Sequence, residues 1–146
     1  MPRWCIRALF FIWEFPQNLL GLLLLLTHHI RQNVSEMQFE RERFFIEIKS
    51  IGAVSLGLFV FYTRRDNSFV PVGDENRDHE FGHTFQSRAL GPLYLPIVGL
   101  ASEARLFYAV GFKLLTGRRW SGYYDGFPEK AADELGDVDR KLRPFP

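Results

Sequence analysis

His79-Glu80-Phe81-Gly82-His83 lies inside the stretch Asp74 to Leu90. Acidic and amide residues open it and Gly91-Pro92 closes it, so the spacing predicts one helix over residues 74–90. At about 100° per residue His79 and His83 share a face with Gln86 nearby, while Phe81 and Phe85 point to roughly the opposite side. Such a helix turns one face to a cleft and the other to a core. Two imidazoles one turn apart, with a carboxylate between them, can ligate a metal ion and place a base beside it. The chain contains only four histidines, so the pair is not a by-product of a histidine-rich composition. Gly82 costs about 1 kcal/mol relative to Ala inside a helix, which suggests that another backbone or a ligand approaches there.

C-terminal to the motif, Leu93 to Leu100 reads as an apolar connector. Ser102 then caps a helix with the stripe Leu106, Phe107, Val110 and Leu114, ending at Gly117. Residues 118–127 read as loop, and Pro128 suits the first turn of a short helix that Gly136 stops. Glu129 and Asp133, four residues apart, share a face of that helix. Residues 141–146 read as a loose tail.

N-terminal to the motif, Phe39 to Lys49 alternates as a strand, with Phe44, Ile46 and Ile48 on one side and Phe45 and Glu47 on the other. Ser50 to Ala53 reads as a turn, and Val54 to Tyr62 as a second strand completing an antiparallel hairpin. Residues 64–73 form a connector with turn residues including Pro71 and Gly73 and room for a short strand at 68–70, while residues 28–35 read as a turn. Residues 3–27 read as helix broken at Phe15-Pro16. Leu19 to Leu26 is almost pure leucine, yet the clean run is shorter than the ~20 residues that span a bilayer. Residues 1–33 are therefore either a buried or interfacial hydrophobic helix pair or a membrane anchor, with Arg7 and Glu14 expensive in lipid unless paired. A secretory signal peptide fits less well, because Glu14 and Pro16 interrupt its apolar stretch. Localisation is thus membrane-associated or cytoplasmic.

Near-balanced charge, 18 Lys+Arg against 17 Asp+Glu, provides no broad positive field for nucleic acid. Cys5 is the single cysteine, which excludes an intrachain disulfide and a thiolate cluster. A zinc site must then use nitrogen and oxygen ligands, the pattern of catalytic sites. Arg41, Arg43, Arg64 and Arg65 read as a solvated face or as contacts to anionic lipid headgroups. His28-His29 reads as the solvated cap of a hydrophobic segment rather than a ligand pair.

The histidine motif followed by Glu129-Lys130-Ala131-Ala132-Asp133 resembles the gluzincin zinc metallopeptidases, above all membrane peptidases of the prenyl-protein and heat-shock type. The likeness spans residues 74–137. It implies Zn2+ held by His79, His83 and Glu129, with Glu80 as general base and Asp133 orienting His79. The longer string His79 to Ser87, with Leu90-Gly91-Pro92-Leu93-Tyr94-Leu95 after it, is also similar to a group of short bacterial proteins with the pattern HExGHxxQS. The expected architecture is a single α+β, zincin-like unit: N-terminal hydrophobic helices over residues 1–33, then a domain over 34–146 with a β-hairpin, the motif helix and a short ligand helix. Peptide-bond hydrolysis needs a further donor for the developing oxyanion, for which Tyr123, Tyr124 and Arg140 are candidates, and a peptide or protein substrate could add to the Val54–Tyr62 strand. The rival reading is a catalytically silent zincin-like binding or regulatory module. Without the first motif, Glu129 and Asp133 would be an ordinary solvated helix start.

Overall fold

The alternation of Phe44, Ile46 and Ile48 with Phe45 and Glu47 builds a strand covered on both faces in the computed structural model, which describes residues 3–70 and 72–140. Pro71 and the tail 141–146 lie outside the described residues. Phe45 packs with Val60, Tyr62 and Phe81, whereas Ile46 and Ile48 pack with Phe61, Leu24 and Leu25. The described residues form a mixed α+β fold with five α-helices and one four-stranded sheet. In chain order these are α1 (Arg3–Trp13), α2 (Phe15–Ile30), β1 (Val34–Glu40), β2 (Arg43–Ile48), β3 (Val54–Leu56), β4 (Phe59–Tyr62), α3 (Asn76–Leu90), α4 (Leu100–Thr116) and α5 (Glu129–Leu135). The sheet runs β1-β2-β4-β3, with α2 on one face and α3 on the other.

The expected hairpin between residues 39–49 and 54–62 is not formed. Gly57 takes φ +61, open to glycine at little steric cost, and turns the chain so that Val54 to Tyr62 becomes two strands. Asn18 of α2 fixes that turn, its Oδ1 accepting the Leu58 N–H at 2.8 Å. β4 then runs parallel to β2, Phe45 opposite Val60, and β3 is left on the edge. The antiparallel partner of β2 is β1, which starts at Val34 inside the segment read as a turn. Residues 68–70 form bends rather than a short strand. Leu93 to Leu100 is helical rather than a connector: a 3-10 turn and a π turn, Leu95–Gly99, run into α4. Pro96 stands at the start of that π turn, where an absent N–H is tolerated. Ser102 is consequently inside the helix and not its cap.

α2 has an inverted polarity. Its buried residues are Gln17, Asn18 and Gly21, while Leu19, Leu20, Leu22, Leu23 and Leu26 are exposed. Between α1 and α2, Glu14 is fully buried and accepts the Ser87 hydroxyl at 2.7 Å. Arg43, expected on a solvated face, is buried and faces Glu14 at 3.6 Å, and Arg7 reaches Glu42 at 2.9 Å. Glu14, Gln17 and Asn18, which interrupt the apolar run, thus bond to protein, and of the leucines Leu24 and Leu25 face the sheet while the other five are exposed. The helical run Leu95–Thr116 is long and apolar enough to cross a membrane, with 11% of its apolar window buried. α1 and α2 pass the same test only as a pair bent by 83°.

α5 reaches α3 where α3 has no side chain. A Cβ added at Gly82 would lie 1.9 Å from the Ala132 carbonyl oxygen, so the two backbones touch through a gap that only glycine leaves. Gly82→Ala is therefore expected to lose about 1–3 kcal/mol by forcing the helices apart. Gly111→Ala, on α4 with nothing within 4 Å, is expected to be neutral or to gain up to about 1 kcal/mol. Unfolding of both variants in detergent checks this, and equal effects would contradict the close approach.

Candidate metal centre

The i, i+4 spacing on α3 sets His79 and His83 side by side, with ring centroids 4.9 Å apart and planes nearly perpendicular. α5 brings Glu129 to them from 46 residues further along. Its Oε2 lies 3.0 Å from His79 Nε2 and 3.4 Å from His83 Nε2. All three side chains are buried, and one ligand atom from each lies within 4.8 Å of the others, a group that could hold a metal ion.

Each group has a partner that fixes its direction. His79 Nδ1–H donates to Asp133 Oδ1 at 2.6 Å, and His83 Nδ1–H donates to Gln86 Oε1 at 2.7 Å. With both Nδ1 atoms occupied, both Nε2 atoms face Glu129, the orientation ligation requires. Gln86 also donates to the Pro128 carbonyl at 3.0 Å, tying α3 to the residue before Glu129. Ser102 of α4 donates to Glu129 Oε1 at 2.5 Å. Asp133 is gripped by Arg140 through two bonds, 2.6 Å from Nε and 2.8 Å from Nη2.

Glu80 points to the same cleft, buried beside β3. The Ser55 hydroxyl is 2.5 Å from its carbonyl oxygen and 2.9 Å from Oε2, and one hydroxyl hydrogen serves both. Burial raises the Glu80 carboxyl, partly offset by the neighbouring His83 and His79, which makes it a stronger base than an exposed glutamate. Burial opposes a charge on His79, but the bonds to Asp133 and Glu129 outweigh it and lift the ring to about 9. Glu129 is held well below the usual carboxylate range: burial acts against this, and the two imidazoles overcome it. Burial likewise opposes the lowering of Asp133, which the His79 and Arg140 bonds produce.

Two cavities flank Glu80. One of about 130 Å3 is bordered by His79, Glu129, Tyr123 and Tyr124, and one of about 290 Å3 by His83, Leu56, Tyr94 and Val98. Tyr123 and Tyr124 thus stand at the cleft, and burial keeps both phenols protonated as donors. The ring of Tyr124 also packs edge-on against His79 at 5.2 Å. Arg140 is not brought to the cavity wall: its guanidinium is bonded to Asp133 and lies 3.2 Å from the Tyr124 ring centroid. It bears on His79 through Asp133 instead. Ser55, Ser102 and the bond made by Gln86 escape a reading of the sequence. Only Gln86 leaves a trace there, three residues from His83 on the same face.

No protein-family profile, curated protein or solved structure matches the chain.

In metal-free protein the charged His79 contributes stability that is complete below about pH 6.5 and is lost as pH climbs through about 9. The lowered carboxyls contribute stability above about pH 4.5 that is lost in acid. The melting temperature in EDTA is accordingly expected to peak between these limits and to fall from pH 6.5 to 9. Ligation requires uncharged imidazoles, so the gain on adding zinc should grow over that alkaline range. A pH-independent melting temperature in EDTA across pH 6.5–9 would contradict the buried triad.

Proposed function

We propose that this protein is a zinc-dependent metallopeptidase of minimal zincin-like form, working at a membrane surface with Glu80 as general base. The observation that carries the reading is the convergence of His79, His83 and Glu129, each already oriented by another residue. Two imidazole nitrogens and one carboxylate oxygen are the donor set of catalytic zinc, with a coordination position left for water or substrate. Zinc bound there supplies a Lewis acid and a water acidic enough to ionise near neutral pH.

The chain's own residues do the rest. Glu80, raised by burial and steadied by Ser55, accepts the proton of the attacking water and returns it to the leaving amine. Tyr123 and Tyr124 are the protonated donors at the cleft for charge developing on the carbonyl oxygen. Asp133 holds the His79 ring, and Arg140 holds Asp133. β3 is the sheet edge beside Glu80, which suits an extended peptide adding by main-chain bonds, although the Ser55 carbonyl already takes the Tyr94 hydroxyl at 3.1 Å.

The membrane part of the reading rests on the outward faces. α2 exposes Leu19, Leu20, Leu22, Leu23 and Leu26 while burying Gln17 and Asn18, and α4 exposes Leu100, Phe107, Leu114 and Leu115. Apolar surface on this scale, with Gln17 and Asn18 of α2 turned inward, fits lipid better than water.

A zinc-holding module without turnover is the second reading, favoured by the small cavity of about 130 Å3 over the triad, which admits waters but not a peptide without opening. Detergent-extracted protein separates the two. The proposal expects one zinc per chain by elemental analysis and cleavage of casein or peptides. Glu80→Gln should keep the zinc and lose about 10²–10⁴-fold in turnover. Zinc with no cleavage of diverse peptides by the wild type would establish the silent module, and full activity of Glu80→Gln would remove the base.

A further inference from the structure

Away from the triad, a groove of about 730 Å3 separates α1 from the β1–β2 hairpin. Its apolar lining includes Phe10, Phe11, Phe39 and Phe44, and its charged lining is Arg7, Arg43 and Arg88 against Glu42 alone. Arg7 is engaged by Glu42, with bonds of 3.1 Å from Nε and 2.9 Å from Nη2. Arg43 and Arg88 are not matched in this way.

The Arg43 side chain is 3% exposed, and its Nε has no hydrogen-bond partner. Its Nη2 lies 3.6 Å from Glu14 Oε2, beyond hydrogen-bond length, and its bond to a neutral acceptor is Nη1 to the Glu42 carbonyl at 3.2 Å. Arg88 Nε is also buried without a partner, 4.0 Å from the same Glu14 oxygen, and its guanidinium lies 4.4 Å from the Phe10 ring centroid. Glu14 Oε2 itself accepts no hydrogen bond. Two guanidiniums therefore face a single carboxylate that neither bonds, leaving a net positive charge at the floor of an apolar groove. Burial lowers Arg43 to about 10, which still leaves it a cation at neutral pH. A desolvated cation with open N–H groups is costly unless an anion meets it.

The walls say what kind of anion. Free phosphate would satisfy the guanidiniums and leave the phenylalanines in water, whereas an anion carrying an acyl chain satisfies both. The groove is walled by α1, whose Leu9, Phe11 and Ile12 are exposed. We propose that this groove binds a phospholipid of net negative headgroup, its phosphate between Arg43 and Arg88 and an acyl chain along Phe10, Phe11, Phe39 and Phe44.

Native mass spectrometry of the full chain in detergent, offered equal phosphatidylglycerol and phosphatidylcholine, tests this. One phosphatidylglycerol retained per chain is expected, preferred about tenfold or more over the zwitterionic lipid. Arg88→Gln removes one cation at a partly exposed position and should cut retention about fivefold, with helix content by circular dichroism unchanged. Phe39→Ser, at an exposed groove residue, should weaken retention of both lipids. Equal retention of the two lipids, wild-type retention by Arg88→Gln, or displacement of phosphatidylglycerol by millimolar inorganic phosphate would each overturn the proposal. None of these outcomes depends on zinc or on peptide cleavage.

Discussion

Glu129 is almost wholly buried between two imidazoles, and most of the structure around it can be understood as the means of keeping it there. A buried carboxylate is strongly unfavourable unless charge or hydrogen bonds meet it. Here Ser102 from α4 takes one oxygen, and the α3 histidines take the other. α5 can deliver the carboxylate only because Gly82 lets its backbone touch α3. The histidines are in turn set by Asp133 and Gln86, and Asp133 by Arg140, so the ring orientation is fixed three residues deep. In metal-free protein a proton between His79 and Glu129 holds the cluster together. A divalent ion would take the place of that proton.

A second polar centre, at the α1–α2 corner, explains why leucine-rich helices can stand on such a small fold. Glu14 takes the Ser87 hydroxyl, Gln17 donates to the Gly91 carbonyl, and Asn18 donates to the Phe11 carbonyl and caps Leu58. These bonds, together with the packing of Leu24 and Leu25 on the sheet, fasten α2 to the exit of α3 and to the β3–β4 turn. Leu19, Leu20, Leu22, Leu23 and Leu26 are thereby left exposed. The same corner supplies Glu14 to the two arginines of the groove, so the attachment of α2 and the unbalanced charge under α1 have one origin.

Legibility in the sequence followed how local each signal was. The motif helix and the short α5 were readable to within two residues because their ends carry glycine, proline and acidic residues, and the spacing of His79, His83, Glu129 and Asp133 needs only helix geometry. The parallel pairing of β2 with β4 was not readable. It depends on Gly57 turning the chain and on Asn18 holding the turn from 40 residues away, and alternation of apolar residues carries no information about partner or direction. Leu93 to Leu100 reads as a connector in the sequence, where a π turn carries helix through. Ser55 and Ser102 carry no periodic signal, and Arg43 is buried against the usual preference of its type, so each emerges only when distant elements are packed together.

The most direct test of the triad is X-ray absorption on protein loaded with one equivalent of zinc. Two imidazole nitrogens and carboxylate oxygen at about 2.0–2.2 Å are expected, with one imidazole lost in His83→Ala. A sulfur neighbour at about 2.3 Å, or a spectrum that His83→Ala leaves unchanged, would show that zinc binds elsewhere and would contradict the site.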